Sequence, residues 1–358
     1  MEEIFPVFWP YYAMALALAT LLGAVAQRSR FCLQGGLRDL VNLGQSQRIM
    51  TYVAAMAFAM LATTVVESLS LVNVDVTKPA YRGSEFLWGR YVLGGFLFGY
   101  GMVLSHGCGF RQVVKSGEGN LKALWVLSVM AVTIYLMTRG EFFGSTLLPL
   151  FAPLTISLNS HQDLGSILLN EQANTLRLGI AFIFSAFVSY KLIQQKSSLG
   201  RWFTTLFIGS AIALGFVLTG GEYAQLLAEE AQFMSTPPAG LGGQSFTVAA
   251  PLGDMVYFLS QWSFPSLTFG VLAVSGLLLG SFLSAIMGKR FTVSGFDSRK
   301  DMVVASVGGS LAGVGAVIAL GCSVGHGLTG IATLSLGSML SFAAIVAGGL
   351  LAIRQTAR

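Results

Sequence analysis

Residues 94–108 read GGFLFGYGMVLSHGC, and residues 308–322 read GGSLAGVGAVIALGC. Laid over each other without a gap, at an offset of 214, they align Gly94 and Gly95 with Gly308 and Gly309, Gly99 with Gly313 and Gly101 with Gly315. The alignment ends on Gly107 with Gly321 and Cys108 with Cys322. Such a match implies a duplicated unit, an apolar glycine-spaced helix that stops at a glycine–cysteine break. The third and last cysteine, Cys32 in RSRFCLQGG, follows the first apolar run of the chain. All the thiols therefore stand just beyond hydrophobic segments.

The surroundings are those of a bilayer. Of 358 residues, 54% are hydrophobic and 10% charged, and the mean hydropathy is +0.71, whereas soluble domains carry about 25% charge. The 43 glycines follow no fibrous period; in a membrane protein glycine lets helices approach closely or break inside the lipid. Met1-Glu2-Glu3 supplies no basic region of a cleavable signal, so the run from about Trp9 to Ala26 reads as the first spanning helix. Three cysteines without a CxxC pair indicate neither a disulfide framework nor a zinc site. The net charge of +5 reflects loop asymmetry and carries no implication of nucleic-acid binding.

Runs long enough to cross about 30 Å of hydrocarbon fall near residues 9–27, 49–70, 88–106, 121–138, 176–194, 201–219, 264–287, 302–320 and 332–352. Lysine and arginine gather in alternate connections. Arg28, Arg30, Arg38 and Arg48 follow the first span; Arg111, Lys115 and Lys122 the third; Lys191, Lys196 and Arg201 the fifth; Lys289, Arg290, Arg299 and Lys300 the seventh. Residues 220–263 and 321–331 have none. By the positive-inside rule the N-terminus is expected outside and the C-terminus in the cytoplasm. The expected architecture is an all-α membrane protein, a single transmembrane domain of nine spans with short re-entrant helices and buried loops. Its two pseudo-symmetric halves, residues 9–138 and 201–352, enter the membrane in opposite senses and are joined by the span at 176–194, a recurring plan of transporters. A looser match sets Leu22-Gly23 against Leu214-Gly215 and Phe31 against Tyr223. The apolar stretch Leu147 to Leu158 is too short to span and is expected at the interface.

Irregular backbone survives in a bilayer only where protein buries it or a polar path runs beside it. Gly107, Gly109 and Gly321 suit such breaks, because glycine permits dihedrals that other residues avoid. Freed amides and helix termini there can face an anion. Arg28 and Arg30 beside Cys32, and Arg111 after Cys108, add positive charge. The thiols supply soft, polarizable S–H donors, a combination that suits a ligand both sulfurous and anionic. His326 is the histidine of the second break, Glu67 is expected to reach the interface, and His161 stands in a connecting loop. The competing reading takes the buried cysteines as inert packing and the arginines as interfacial anchors. No GxxxxGK[ST] loop for nucleotide is present.

At these motifs, RSRFCLQGGLRD (residues 28–39), GCGFRQVVKSGEGNL (107–121) and GCSVGHGLTG (321–330), the chain resembles the YeeE/YedE family of bacterial inner-membrane sulfur transporters. The resemblance covers nearly the whole length. It implies a waisted, pseudo-symmetric bundle in the bacterial inner membrane, with Cys32, Cys108 and Cys322 along a central path on which thiosulfate is passed by S–H to sulfur contacts. From the reading of the breaks, Arg30, Arg111, Gly107, Gly109, Gly321 and His326 are expected along the same path, with no cofactor and no enzymatic activity. Some relatives work with a TusA-type sulfur carrier, which here would be a separate partner. Two alternatives remain open at this point: a selenium compound or another sulfur anion as the cargo, and a membrane thiol sulfurtransferase or oxidoreductase working through persulfides or disulfides.

Overall fold

The computed structural model describes residues 4–141, 143–169 and 172–356; Met1-Glu2-Glu3 lies outside them. The first half runs α1 (Ile4–Ser29), α2 (Leu33–Leu43), α3 (Gln47–Ser68), a two-residue strand β1 (Glu85–Phe86), α4 (Trp88–Leu104), α5 (Gly109–Gly117) and α6 (Leu121–Arg139). A connection follows with α7 (Leu148–Phe151), β2 (Ile156–Ser157), α8 (Leu164–Leu168) and the long α9 (Ala173–Gln194). The rest comprises α10 (Leu199–Gly220), α11 (Glu222–Gln232), α12 (Ala249–Gln261), α13 (Phe269–Met287), α14 (Arg299–Ala319), a π-helical segment at Gly325–Gly330, and α15 (Leu336–Thr356).

Among the described residues nine helices are long and apolar enough to cross a membrane. They are α1, α3, α4, α6, α9, α10, α13, α14 and α15, one for each expected span, in a multi-pass all-α membrane protein. The seventh begins later than its apolar run, because Phe264–Ser266 forms a 3-10 turn around Pro265 and Thr268 caps α13 by accepting the Val271 N–H. The stretch from Phe143 to Leu154 is broken into short helical turns, and its end pairs as β2 antiparallel to β1.

Glycine decides how the central pair packs. Lipid is as apolar as leucine, so helices associate by close van der Waals fit. On α4, a Cβ at Gly94 or Gly101 would overlap the backbone of α14, and one at Gly308 or Gly315 on α14 would overlap α4. Around this crossing the contacts are reciprocal. α1 lies on α13 while α10 lies on α3, α4 lies on α15 while α14 lies on α6, and α2 and α12 each pack on the helix that follows, α3 and α13. The short helices α2, α5 and α12, of 11, 9 and 13 residues, rise about 1.5 Å per residue and cannot cross the bilayer.

A candidate site where capped helix ends meet

Each cysteine stands at the start of a short helix. Cys32 caps α2, its sulfur accepting the Gly35 N–H at 3.3 Å. Cys108 is the N-cap residue of α5, but its side chain makes no capping hydrogen bond. Cys322 precedes helical backbone that begins at Ser323 and continues as the π-helical segment, and its sulfur accepts the Gly325 N–H at 3.4 Å. At Cys32 and Cys322 the sulfur occupies the place of a capping oxygen, satisfying an amide that the first helical turn leaves open. The single S–H proton of each thiol is left to point elsewhere.

The chain reaches these caps through turns of the same kind. Two positions ahead of each cysteine a non-glycine residue has left-handed backbone, Arg30 at φ 52°, His106 at 60° and Leu320 at 65°. This corrects the expectation that Gly107 and Gly321 supply the unusual dihedrals, since neither has a positive φ. Their smallness serves space instead. A Cβ on Gly321 would lie 2.8 Å from the His326 ring, and one on Gly109 would lie 3.2 Å from Met130 Cε and 3.3 Å from Val248 Cγ1. At Gly107 the nearest atom would be the buried amide nitrogen of Gln112, at 3.3 Å, which is hydrogen-bonded to the Ser105 carbonyl.

The three caps meet. The Cys32 and Cys108 thiols are near enough to influence each other, and Cys108 stands near Ser323, the neighbour of Cys322, whose buried hydroxyl has no hydrogen-bond partner among the described residues. The N-terminal end of α12 closes the group. Thr247 Oγ1 lies 3.8 Å from Cys322 Sγ, and Val248 stands against Gly109. All three thiols are buried and none is in a disulfide. Tyr52 of α3 crosses the centre, donating its hydroxyl to the Ser323 carbonyl at 2.6 Å and stacking between Phe31, at 5.1 Å, and Phe342, at 5.9 Å. Phe110 meets Phe31 edge-on. Nothing in the motif spacing singles out Tyr52 or Thr247, which sit in an ordinary spanning run and a long connection.

A basic cavity opens beside Cys32. It has a volume of about 440 Å³, and its walls include Arg30, Arg48, Arg111, Lys115 and Arg290 with one carboxylate, Glu118. Arg111 faces Glu118 loosely, at 3.4 Å, and Lys115 Nζ donates to the His106 carbonyl at 2.7 Å. An adjoining cavity of about 620 Å³ shares Gly35, Arg48 and Lys115 with it and adds Lys122, which pairs with Asp301 at 2.6 Å. Arg30 and Arg111 are thus brought together beside Cys32, whereas Arg28 lines other cavities.

His326 stands behind the site. Its Nε2 lies 2.8 Å from the Ala319 carbonyl and its Nδ1 3.2 Å from Ser338 Oγ, so both ring nitrogens are engaged in holding the turn around Leu320 and Gly321. Tyr81 and Tyr91 meet the ring edge-on. The Tyr81 hydroxyl is buried near Cys322 with no hydrogen-bond partner among the described residues.

A cluster of buried charges braces this side, and it corrects the expectation that Glu67 reaches the interface. Glu67 is held between Arg82 and Arg177; Arg82 also takes Asp75, and Arg177 takes Asp163 at 2.8 Å. Arg82 Nε donates to the Thr333 carbonyl at 2.9 Å, just past the π-helical segment, and His161 Nδ1 lies 2.9 Å from the Arg82 carbonyl. Asp163 lies in the connection between α7 and α8. Burial pushes its carboxyl upward, but the Arg177 hydrogen bond and the Arg82 charge outweigh that and hold it below its ordinary value.

Comparison with known proteins gives the chain's family. The thiosulfate transporter TsuA of Escherichia coli K12 is 26% identical over 322 residues, which cover 87% of this chain and 85% of that protein. The thiosulfate transporter TsuA of Spirochaeta thermophila is 24% identical over 335 residues, 91% of this chain and 93% of that one. A probable transporter, YedE of Salmonella typhimurium, is 25% identical over 172 residues, 44% and 37% of the two chains. Residues 28–351, which hold all three cysteine caps, match the sulphur-transport family model, and the chain belongs to that family: it is a membrane transporter and not an enzyme.

Proposed function

We propose that the chain carries thiosulfate, or a closely related sulfur-bearing anion, inward across the bacterial inner membrane, with the N-terminus outside and the C-terminus in the cytoplasm. The observation that carries this reading is the meeting of three helix starts, each headed by a cysteine, beside a basic cavity. Helix N-termini carry partial positive charge and favour anions. A thiol whose sulfur already accepts a backbone N–H offers its S–H outward as a soft donor to a sulfur or oxygen of the cargo. In this reading the cargo passes from Cys322, by way of Ser323, to Cys108 and on to Cys32 at the mouth of the basic vestibule; their adjacency supports that order. There Arg30, Arg48, Arg111 and Lys115 receive the anion on the cytoplasmic side. The reciprocal packing supports two inverted halves, residues 9–138 and 201–352, joined by α9. In that pairing α12 answers α2, so the counterpart of Phe31-Cys32 is Thr247-Val248 in place of Tyr223.

Labelled thiosulfate uptake in cells lacking other sulfate and thiosulfate importers tests the reading. Expressed protein that supports neither uptake nor growth on thiosulfate overturns it. Competition by selenium-containing and other sulfur anions in the same cells fixes the cargo. Mass analysis of the three cysteines during turnover separates hydrogen-bonded passage, which leaves them unmodified, from a persulfide relay. A separate TusA-type carrier belongs at the vestibule, and co-purification from cells grown on thiosulfate tests that partner.

A further inference from the structure

A second cavity lies outside the path, with a volume of about 890 Å³, between α1, α3, α10 and α13. One end carries the guanidinium groups of Arg28, Arg48 and Arg201 against the single carboxylate of Asp39. An apolar wall of Leu21, Phe203, Leu283 and Met287, all exposed on the outside of the bundle, adjoins it. The cations are not equally engaged. Arg48 pairs with Asp39 at 3.2 Å, and Arg201 donates to Ser197 Oγ and Gln47 Oε1, both neutral. Arg28, in the last turn of α1, has no ion-pair partner among the described residues. The first turn of α10 also faces the charged end, through Ser198 and Gly200.

From this geometry we propose that the cavity is a binding site for one anionic glycerophospholipid. Its phosphate sits between Arg28 and Arg201 at the start of α10, and its acyl chains lie along Leu21, Phe203, Leu283 and Met287. Basic pockets between spanning helices hold anionic head groups in this way, and a start of a helix adds donors suited to phosphate. A free anion would leave the apolar wall open to the bilayer interior, and a zwitterionic head group would bring a cation among the guanidiniums. The charged end lies on the same side as the basic connections, which places it in the leaflet whose lipids carry negative charge. Because Ser29 and Arg30 continue from Arg28 directly into the Cys32 turn, the bound head group holds the end of α1 from which that turn departs.

The test uses the full-length protein in detergent and does not depend on the cargo. Native mass spectrometry with added phosphatidylglycerol should show one tightly retained lipid, and thermal unfolding should rise with phosphatidylglycerol but little with phosphatidylcholine. The Arg28→Gln/Arg201→Gln variant should keep its lipid-free unfolding temperature and lose roughly tenfold or more in phosphatidylglycerol affinity. Should that variant fail to fold, Leu283→Asp, which alters only the apolar wall, is expected to cause the same loss of retention. Equal stabilisation by phosphatidylcholine, by glycerol phosphate alone, or of the variants and the parent alike overturns the proposal.

Discussion

The sulfur of Cys322 lies 3.8 Å from the hydroxyl oxygen of Thr247, across the gap between the π-helical segment and the start of α12. In the path proposed above, this pair and the Tyr81 hydroxyl, unpartnered among the described residues, would offer the cargo one soft and two hard donors. Thr247→Val keeps the side-chain shape and removes one donor, and Tyr81→Phe removes the other. Each is expected to raise the KM for thiosulfate uptake, on the order of tenfold for one hydrogen bond to a charged ligand. The unfolding temperature should stay nearly unchanged. An unaltered KM in both would remove these hydroxyls from the path.

Cysteine-to-serine changes separate capping from cargo handling. Serine is a better helix cap than most residues, so Cys32→Ser, Cys108→Ser and Cys322→Ser should fold as well as the parent. Alanine at Cys32 or Cys322 forfeits the cap and should cost about 1 kcal/mol each, whereas at Cys108, whose side chain makes no capping bond, it should cost less. Uptake should nonetheless fall sharply in the serine variants, because the hydroxyl is a harder donor. Thermal melts measured beside uptake check both halves of this expectation, and normal uptake by all three serine variants would refute the role of the thiols.

The two paired glycines should respond unequally to a methyl group. Gly321→Ala presses on the His326 ring, 2.8 Å away, which is held at both nitrogens, whereas Gly107→Ala comes no nearer than 3.3 Å to its first neighbour, the Gln112 amide, which needs to give by only a few tenths of an ångström. Overpacking a fixed neighbour typically costs about 1–3 kcal/mol. The yield of folded protein in detergent should therefore drop for Gly321→Ala and hold for Gly107→Ala.

Asp163 should give the protein an acid-sensitive brace. Its carboxyl is held below its ordinary value in the folded state, against about 4 when unfolded. The stabilisation is therefore fully present above the unfolded value and is lost as pH falls through the lowered folded one. Asp163→Asn leaves Arg177 buried without that charge, and breaking such a pair costs about 3–5 kcal/mol. The variant should melt lower at pH 7 and show a flatter loss of stability between pH 5 and pH 3, roughly the range where a carboxylate titrates.

The spanning helices are legible in the sequence because each is a run of sufficient length, and the breaks because a cysteine beside glycine interrupts a run. What holds the breaks is not legible. The left-handed positions fall on Arg30, His106 and Leu320, residues that no turn rule selects, because tertiary packing imposes the conformation on them. The charge cluster escapes for a different reason. Glu67 and Arg177 meet across 110 positions of sequence, and no periodic pattern encodes a contact at that separation. Thr247 and Val248 become recognisable only when α12 is seen to pack on α13 as α2 packs on α3.

The helix starts that meet at Cys32, Cys108, Cys322 and Val248 have no acidic side chain among the groups shown to touch them. A passage bordered by such ends is hostile to hydronium and sodium, which meet the positive ends of helices and no carboxylate among those groups to rest on. In the reading proposed for this chain, a cell can therefore keep a route open to a doubly charged nutrient without discharging the proton and sodium gradients on which its energy supply depends.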